Sequence, residues 1–209
     1  MEATENSAEI KQLSKMKEGQ YFDRKSSRIE PKQIIKHLIA FANASGGKLV
    51  IGIEDDGTIT GFNNPKAHSI EDFKHILNEG QKTPIPLSIE TINVVNNKGE
   101  SDVILVFDVE PSTHRVIEAN DGQAYLRSKD NSILLKFEQR KLLEYDKGQR
   151  SFEDEIVRDS SLEDLDMDLL EKYKDHLNSH DSSIKEILKA RNFINKDLNL
   201  CTRQKNKKV

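Results

Sequence analysis

Glu18 and Asp23 stand five residues apart in the stretch EGQYFDRKSS, and Arg24 and Lys25 follow at once. Two acids beside two bases permit two kinds of chemistry. At the start of a strand they form ion pairs on a solvated surface. At the rim of a site, the cations can grip the phosphate oxygens of a nucleic acid. The residues alone leave both readings open. Tyr125 and Arg127 are a second candidate pair. They alternate around Leu126 in QAYLRS and so share one strand face. They are suited to stacking on a base and holding a phosphate, or form a plain edge-strand pair. Other sets carry less. His176 and His180 have the i, i+4 spacing of helical metal ligands, but there is no HExxH pattern and no third ligand nearby. The single cysteine, Cys201, lacks the setting of a catalytic thiol. His114 has no visible partner. No Ser-His-Asp arrangement can be argued.

Charge adds direction. The whole chain carries a net charge of −4. Yet from Ile10 to His37 eight basic residues (Lys11, Lys15, Lys17, Arg24, Lys25, Arg28, Lys32, Lys36) face only three acids, Glu18, Asp23 and Glu30. From Glu153 to Asp175 there are ten acids. A basic front and an acidic back fit a protein that offers one face to a polyanion, or two ordinary solvated surfaces. One cysteine excludes an internal disulfide framework. No apolar run approaches the roughly 20 residues that span a bilayer, and the N-terminus has no signal-peptide pattern. A cytoplasmic location and no membrane partner are expected.

The elements that must position these residues are legible from periodicity. Residues 1–14 read as a short helix or frayed arm. QYFDRKS reads as a strand with Tyr21 and Asp23 on one face, Phe22 and Arg24 on the other. Pro31 opens a helix whose apolar face is Ile34, Ile35, Leu38, Ile39, Phe41 and Ala42; Lys32, Lys36 and His37 lie off it. Asn43 through Gly47 end the helix, read as a C-cap and turn in preference to a phosphate-binding concavity. KLVIGIE is a nearly continuous apolar run, so a strand buried on both faces, with Gly52 marking a close approach or bulge. Asp55-Asp56-Gly57-Thr58 signals a hairpin turn with TITGF returning. Ser69 caps a second helix ending at Gly80, and LSIETINVV with SDVILVFDV forms an antiparallel hairpin. QAYLRS is one more strand, and helical spacing resumes from Ile133 to Tyr145. After Gly148, SLEDLD opens a helix running to His180, and Ser183 starts another. The tail is basic, with Arg203, Lys205, Lys207 and Lys208.

EGQYFDRKSS, IIKHLIAFANASGGKLVIGIEDDGTITG, the run ending in VFDVEPS, and AYLRSKDNS follow one another in order. This series resembles the Schlafen-type Alba-like domain. Ala40-Phe41-Ala42-Asn43 through Gly46-Gly47 to Asp55 is its most specific part, and the likeness spans about residues 15–145. The expected fold is α+β: a mixed, mainly antiparallel sheet packed by helices, with a C-terminal helical extension. Three regions are expected: an arm over 1–14, the Schlafen/Alba-like domain over 15–148, and a helical extension with basic tail over 149–209. In bacterial relatives the domain often precedes a histidine-kinase-like ATPase domain and belongs to a transcriptional regulator. The extension is therefore expected to be the linker to such a domain in a longer protein. No GxxxxGK[ST] loop is present, so ATP binding is not carried over.

The resemblance implies functions in two classes. One is nucleic-acid binding of low sequence specificity, to DNA or structured RNA, through Arg24, Lys25, Arg28, Lys32, Lys36, Tyr125 and Arg127. The other is a metal-dependent endoribonuclease acting on tRNA-like RNA. In Schlafen-type ribonucleases a carboxylate triad does this work, and Glu18, Asp23 and Asp55 match its positions. Such oxygen ligands suit Mg²⁺ or Mn²⁺, which would activate water and neutralise phosphate charge. The second acid is often Glu and is Asp here, and RK replaces FK after it. A third class is a dimerisation or adaptor module. Relatives of this fold often pair, so a homodimer is a further expectation, with no surface indicated.

Overall fold

A computed structural model of the chain describes residues 2–151, 155–179, 181–195 and 197–201. Glu153, Asp154, His180 and the basic tail from Arg203 lie outside the described residues. The chain divides into two compact units, Met1–Lys147 and Gly148–Val209.

In the first unit a four-stranded sheet runs in the order β1-β2-β4-β3. Its strands are β1 (Phe22–Lys25), β2 (Gly47–Ile51), β3 (Leu87–Val95) and β4 (Ser101–Val109). β1 and β2 are parallel; the other pairs are antiparallel. Helices α2 (Pro31–Asn43) and α3 (Ile70–Gly80) cover one face. There Ile34, Leu38, Ile39 and Phe41 of α2 meet Phe73 and Leu77 of α3, Leu49 and Ile51 of β2, and Leu105 and Phe107 of β4. The opposite face buries Phe22, Val50, Ile92, Val94, Ile104 and Val106 with Leu13, and Ile10 packs against them. Leu13 and Ile10 belong to α1 (Glu2–Lys15). Cover on both faces explains the apolar run within KLVIGIE: Leu49, Val50 and Ile51 of β2 are fully buried on alternate sides, while Lys48 at its start reaches water. The same cover revises the frayed arm, since Leu13 is 4% exposed and belongs to the core.

A second, two-stranded antiparallel sheet pairs β5 (Tyr125–Ser128) with β6 (Asn131–Leu134), and α4 (Phe137–Asp146) follows. The helical spacing expected from Ile133 thus begins only at Phe137. Lys129 takes a left-handed φ of 56° and turns the chain so that Ser128 pairs with Asn131. The expected return strand TITGF is reduced to a single bridge, Ile53 to Ile59. Gly52 accounts for this. Its φ is +105°, and its carbonyl accepts from both Thr60 N and Gly61 N, which turns the segment away from the ladder.

The second unit holds a 3₁₀ turn (Leu162–Asp164), α5 (Met167–His176) and α6 (Ile184–Ala190). SLEDLD does not run on as one helix because it carries two start signals. Ser161 caps the 3₁₀ turn and Asp166 caps α5. Leu188, Ile194 and Leu200 form its small core. Among the described residues no helix is long and apolar enough to cross a membrane.

Candidate nucleic-acid interface

β1 alternates as its sequence indicates, but both of its faces are covered. Phe22 and Arg24 turn toward α1. The Arg24 guanidinium donates to Ser14 O at 2.7 Å and to Met16 O, fastening the end of α1 to the sheet. Asp23 turns the other way, beneath α2 and β5, and is 1% exposed. Its Oδ1 accepts from Lys25 Nζ at 2.6 Å. Its Oδ2 accepts from Arg127 Nη1 at 2.7 Å and lies 3.1 Å from His37 Nδ1. Arg127 then ties β5 to the chain before β1: Nε donates to Gly19 O and Nη2 to Phe22 O. Its guanidinium lies 4.7 Å over the Phe41 ring. Gln20 reinforces the seam, donating to Arg127 O and accepting from Lys129 N.

Burial by itself raises the Asp23 carboxyl. Hydrogen bonds from His37 and Lys25, with the charges of both, outweigh that and hold it well below the ordinary aspartate value of 3.8. His37 Nδ1 also lies 3.2 Å from Ser132 Oγ. The acid and the hydroxyl therefore share one ring nitrogen, which is not the geometry of a Ser-His-Asp relay. His37 and Ser132 are members of this cluster that the sequence did not single out. His37's place off the apolar face of α2 was the available signal. Ser132 gave none, because the segment beside it read as helical.

Of the expected triad, Glu18 and Asp23 share the Lys25 ammonium, and Asp55 lies in the exposed turn after β2. Glu18 Oε1 accepts from Arg24 N at 3.4 Å and from Lys25 Nζ at 3.5 Å. The Lys25 ammonium thus stands between Glu18 and Asp23. Asp55 is exposed in its turn. Gly57 of that turn backs onto Ser14 O and Arg24, on the α1 side, whereas Asp23 faces α2. The neighbouring acid, Glu54, is taken up by Ser26 Oγ, Thr60 Oγ1 and Arg28 Nη2. Among the described residues no three of His, Cys, Asp and Glu are grouped so as to hold a metal ion. Both oxygens of Asp23 already face cations. This donor set, as arranged, does not fit Mg²⁺ or Mn²⁺.

The basic candidates separate into two kinds. Arg24 and Arg127 are 5% and 2% exposed and hold the fold. The surface pair expected of Tyr125 and Arg127 is not formed, because Arg127 is drawn under Asp23. Lys25 is engaged by Asp23, and Arg28 pairs with Glu54 at 3.2 Å while half its side chain stays exposed. Lys32 and Lys36 are exposed, one turn apart on α2. They line a groove of about 380 Å³ with Ile76, Tyr125, Glu79 and Asp121. Of the seven candidates, then, Lys32, Lys36 and Tyr125 are brought together.

The AFAN…GG signature has a structural explanation. Asn43 is buried and clamps three backbone groups: Nδ2 donates to Ile117 O and Tyr125 O, and Oδ1 accepts from Ile117 N. Gly46 has φ +75° and donates to Phe41 O; a Cβ there would meet Val109 O at 2.6 Å. The segment is a C-cap and clamp for β5.

The family comparison agrees with this architecture. The Schlafen, AlbA_2 family matches residues 18–136, more than half of the chain, and the chain belongs to that family. Membership is consistent with nucleic-acid binding. The search of curated proteins gave no match. Among solved structures, the chain is similar to the DIP2311 protein from Corynebacterium diphtheriae, with 14% identity and a TM-score of 0.47. That similarity covers 96% of this chain and 39% of that one, so the chain spans well under half of its length.

Proposed function

We propose that the first unit binds nucleic acid with low sequence specificity, through phosphate contacts from the exposed face of α2. The observation that carries this reading is the pair Lys32 and Lys36 beside a groove that presents Tyr125. Like charges at i, i+4 disfavour a helix by about 0.2–0.5 kcal/mol. A polyanion laid across them relieves that repulsion. Tyr125 offers a ring edge or face to an unpaired base, while Glu79 and Asp121, which also line the groove, keep phosphates toward the lysine side. Arg28, half exposed, extends the basic edge. Such contacts position a backbone without reading bases, so shape and charge select the ligand. Within this reading the domain serves as the nucleic-acid anchor of a bacterial regulator, as the family resemblance implies.

The test is fluorescence anisotropy with labelled tRNA and duplex DNA over a salt series, with Mn²⁺ or EDTA. Salt-dependent binding that is equal in both, with intact nucleic acid, is the expected result. Metal-dependent cleavage abolished by Asp55→Ala would overturn the binding-only reading in favour of a nuclease built on Glu18, Asp23 and Asp55. Absence of any salt-sensitive binding would leave the adaptor class.

A further inference from the structure

We propose that two copies of the chain pair through the outer edge of β3, joining their four-stranded sheets into one of eight strands. β3 is nine residues long and closes one side of the sheet order, with no strand beyond it among the described residues. The register fixes which backbone groups it leaves open. Asn96 N donates to Glu100 O and Glu110 N donates to Pro86 O, both pairs lying on the β3–β4 ladder register. Even-numbered residues of β3 therefore spend their N–H and C=O on β4. Leu87, Ile89, Thr91, Asn93 and Val95 turn theirs outward.

Sheet edges are ordinarily blunted by lysine, proline, a bulge or shortness. β3 contains no lysine and no proline, and pairs with β4 without interruption over its whole length. The nearest prolines, Pro84 and Pro86, lie before its first residue. Ile89 is 37% exposed and Val95 is 65% exposed. Both stand on the α2/α3 face, since they share the parity of Leu87, which packs into that core.

A second copy is the occupant that suits this edge, because the edge is complementary to itself. In an antiparallel pairing about a two-fold axis at Ile92, Ile89 of each copy faces Val95 of the other. Thr91 then faces Asn93, and both are outward-facing hydrogen-bonding positions. About eight main-chain hydrogen bonds form. The two exposed apolar side chains of each copy become cross-strand pairs. Glu90 faces Val94, so no like charges meet. Moving the axis two positions, so that Glu90 faces Glu90, would set two carboxylates against each other. This inference stands apart from the nucleic-acid reading and does not depend on it.

Light scattering coupled to size exclusion tests it, from micromolar to near-millimolar protein. The expected result is twice the chain mass for the wild type and the single-chain mass for Thr91→Pro, with the far-ultraviolet dichroism of both unchanged. Proline at Thr91 removes only an outward donor and leaves the β4 ladder intact. A wild type that stays at single-chain mass, or a dimer that Thr91→Pro leaves whole, overturns the proposal. If Thr91→Pro fails to fold, Ile89→Cys combined with Val95→Cys decides. Hydrogen-bonded cross-strand Cα atoms lie about 5.5 Å apart, within disulfide reach. Oxidation should then give a covalent dimer from the double variant and none from either single one. No covalent dimer overturns the proposal.

Discussion

The seam between β1 and β5 and the outer face of α2 carry the same kinds of residue and use them oppositely. In the seam, Arg127 and Asp23 have side chains 0% and 1% exposed, and each is satisfied several times over. On α2, Lys32 and Lys36 face water one turn apart. A basic residue in this chain is thus either a fastener or an offered charge. What decides is whether a carboxylate or a row of carbonyls waits beneath it. The net charge of the basic segment therefore overstates the surface available to a polyanion. Arg24 is spent on carbonyls of the α1 C-terminal region, and Lys25 on two acids.

Asp23→Ala should break the comparison most strongly. It leaves the buried guanidinium of Arg127 without its carboxylate, a change that costs about 3–5 kcal/mol. Chemical denaturation should show that loss, and the double variant with Arg127→Met should recover part of it. If Asp23→Ala were near neutral, the seam would be a solvated surface after all.

Arg24→Met comes next. It keeps the apolar stem beside Phe22 and removes the donors to Ser14 O and Met16 O. Hydrogen bonds to a charged group contribute about 1.5–3 kcal/mol. Hydrogen exchange should rise across α1 first, because this guanidinium joins it to the sheet. The salt dependence of nucleic-acid binding should not change, since Arg24 is not offered to the ligand.

Acid should act on the seam in a defined direction. Asp23 is held below its ordinary 3.8 by hydrogen bonds and charge from His37 and Lys25, which outweigh burial. A depressed carboxyl contributes stability that is fully present above the unfolded value. That stability is lost as pH falls from there through the lower folded value. Urea midpoints measured downward from pH 7 should hold to about pH 5 and then fall for the wild type. Asp23→Asn, which does not titrate, should show a shallower acid limb.

Periodicity made most of the fold legible, because α2, α3, β2 and the β3–β4 hairpin bury whole faces. β6 reads as helix because Ile133 and Leu134 run on into apolar positions of α4, whereas the left-handed Lys129 before them turns the chain back to pair with β5. The site was less legible. The alternation of β1 correctly separated Asp23 from Arg24. It could not say that both faces are covered, since the cover comes from α1 and from β5, the latter about a hundred residues away. The motif positions of Glu18, Asp23 and Asp55 were plain in sequence. The Lys25 ammonium between the first two is a matter of side-chain direction, which spacing does not encode.

The smallest effect on stability should come from the other half of the comparison. Lys32→Gln with Lys36→Gln removes two exposed charges that repel along α2 and support no buried group. Surface changes of this kind stay within about 0.5 kcal/mol, and relief of the i, i+4 repulsion tends to offset any loss. Binding should respond where stability does not. Each phosphate contact removed lowers the slope of log affinity against log salt by about 0.9 on duplex DNA or 0.7 on single strands. The double variant should therefore bind more weakly at low salt, with a slope shallower by about 1.4–1.8, while its denaturation midpoint stays in place. Unchanged binding would show that α2 offers its lysines to water alone and would move the interface to another face of the unit. A lost fold would show that they are fasteners too.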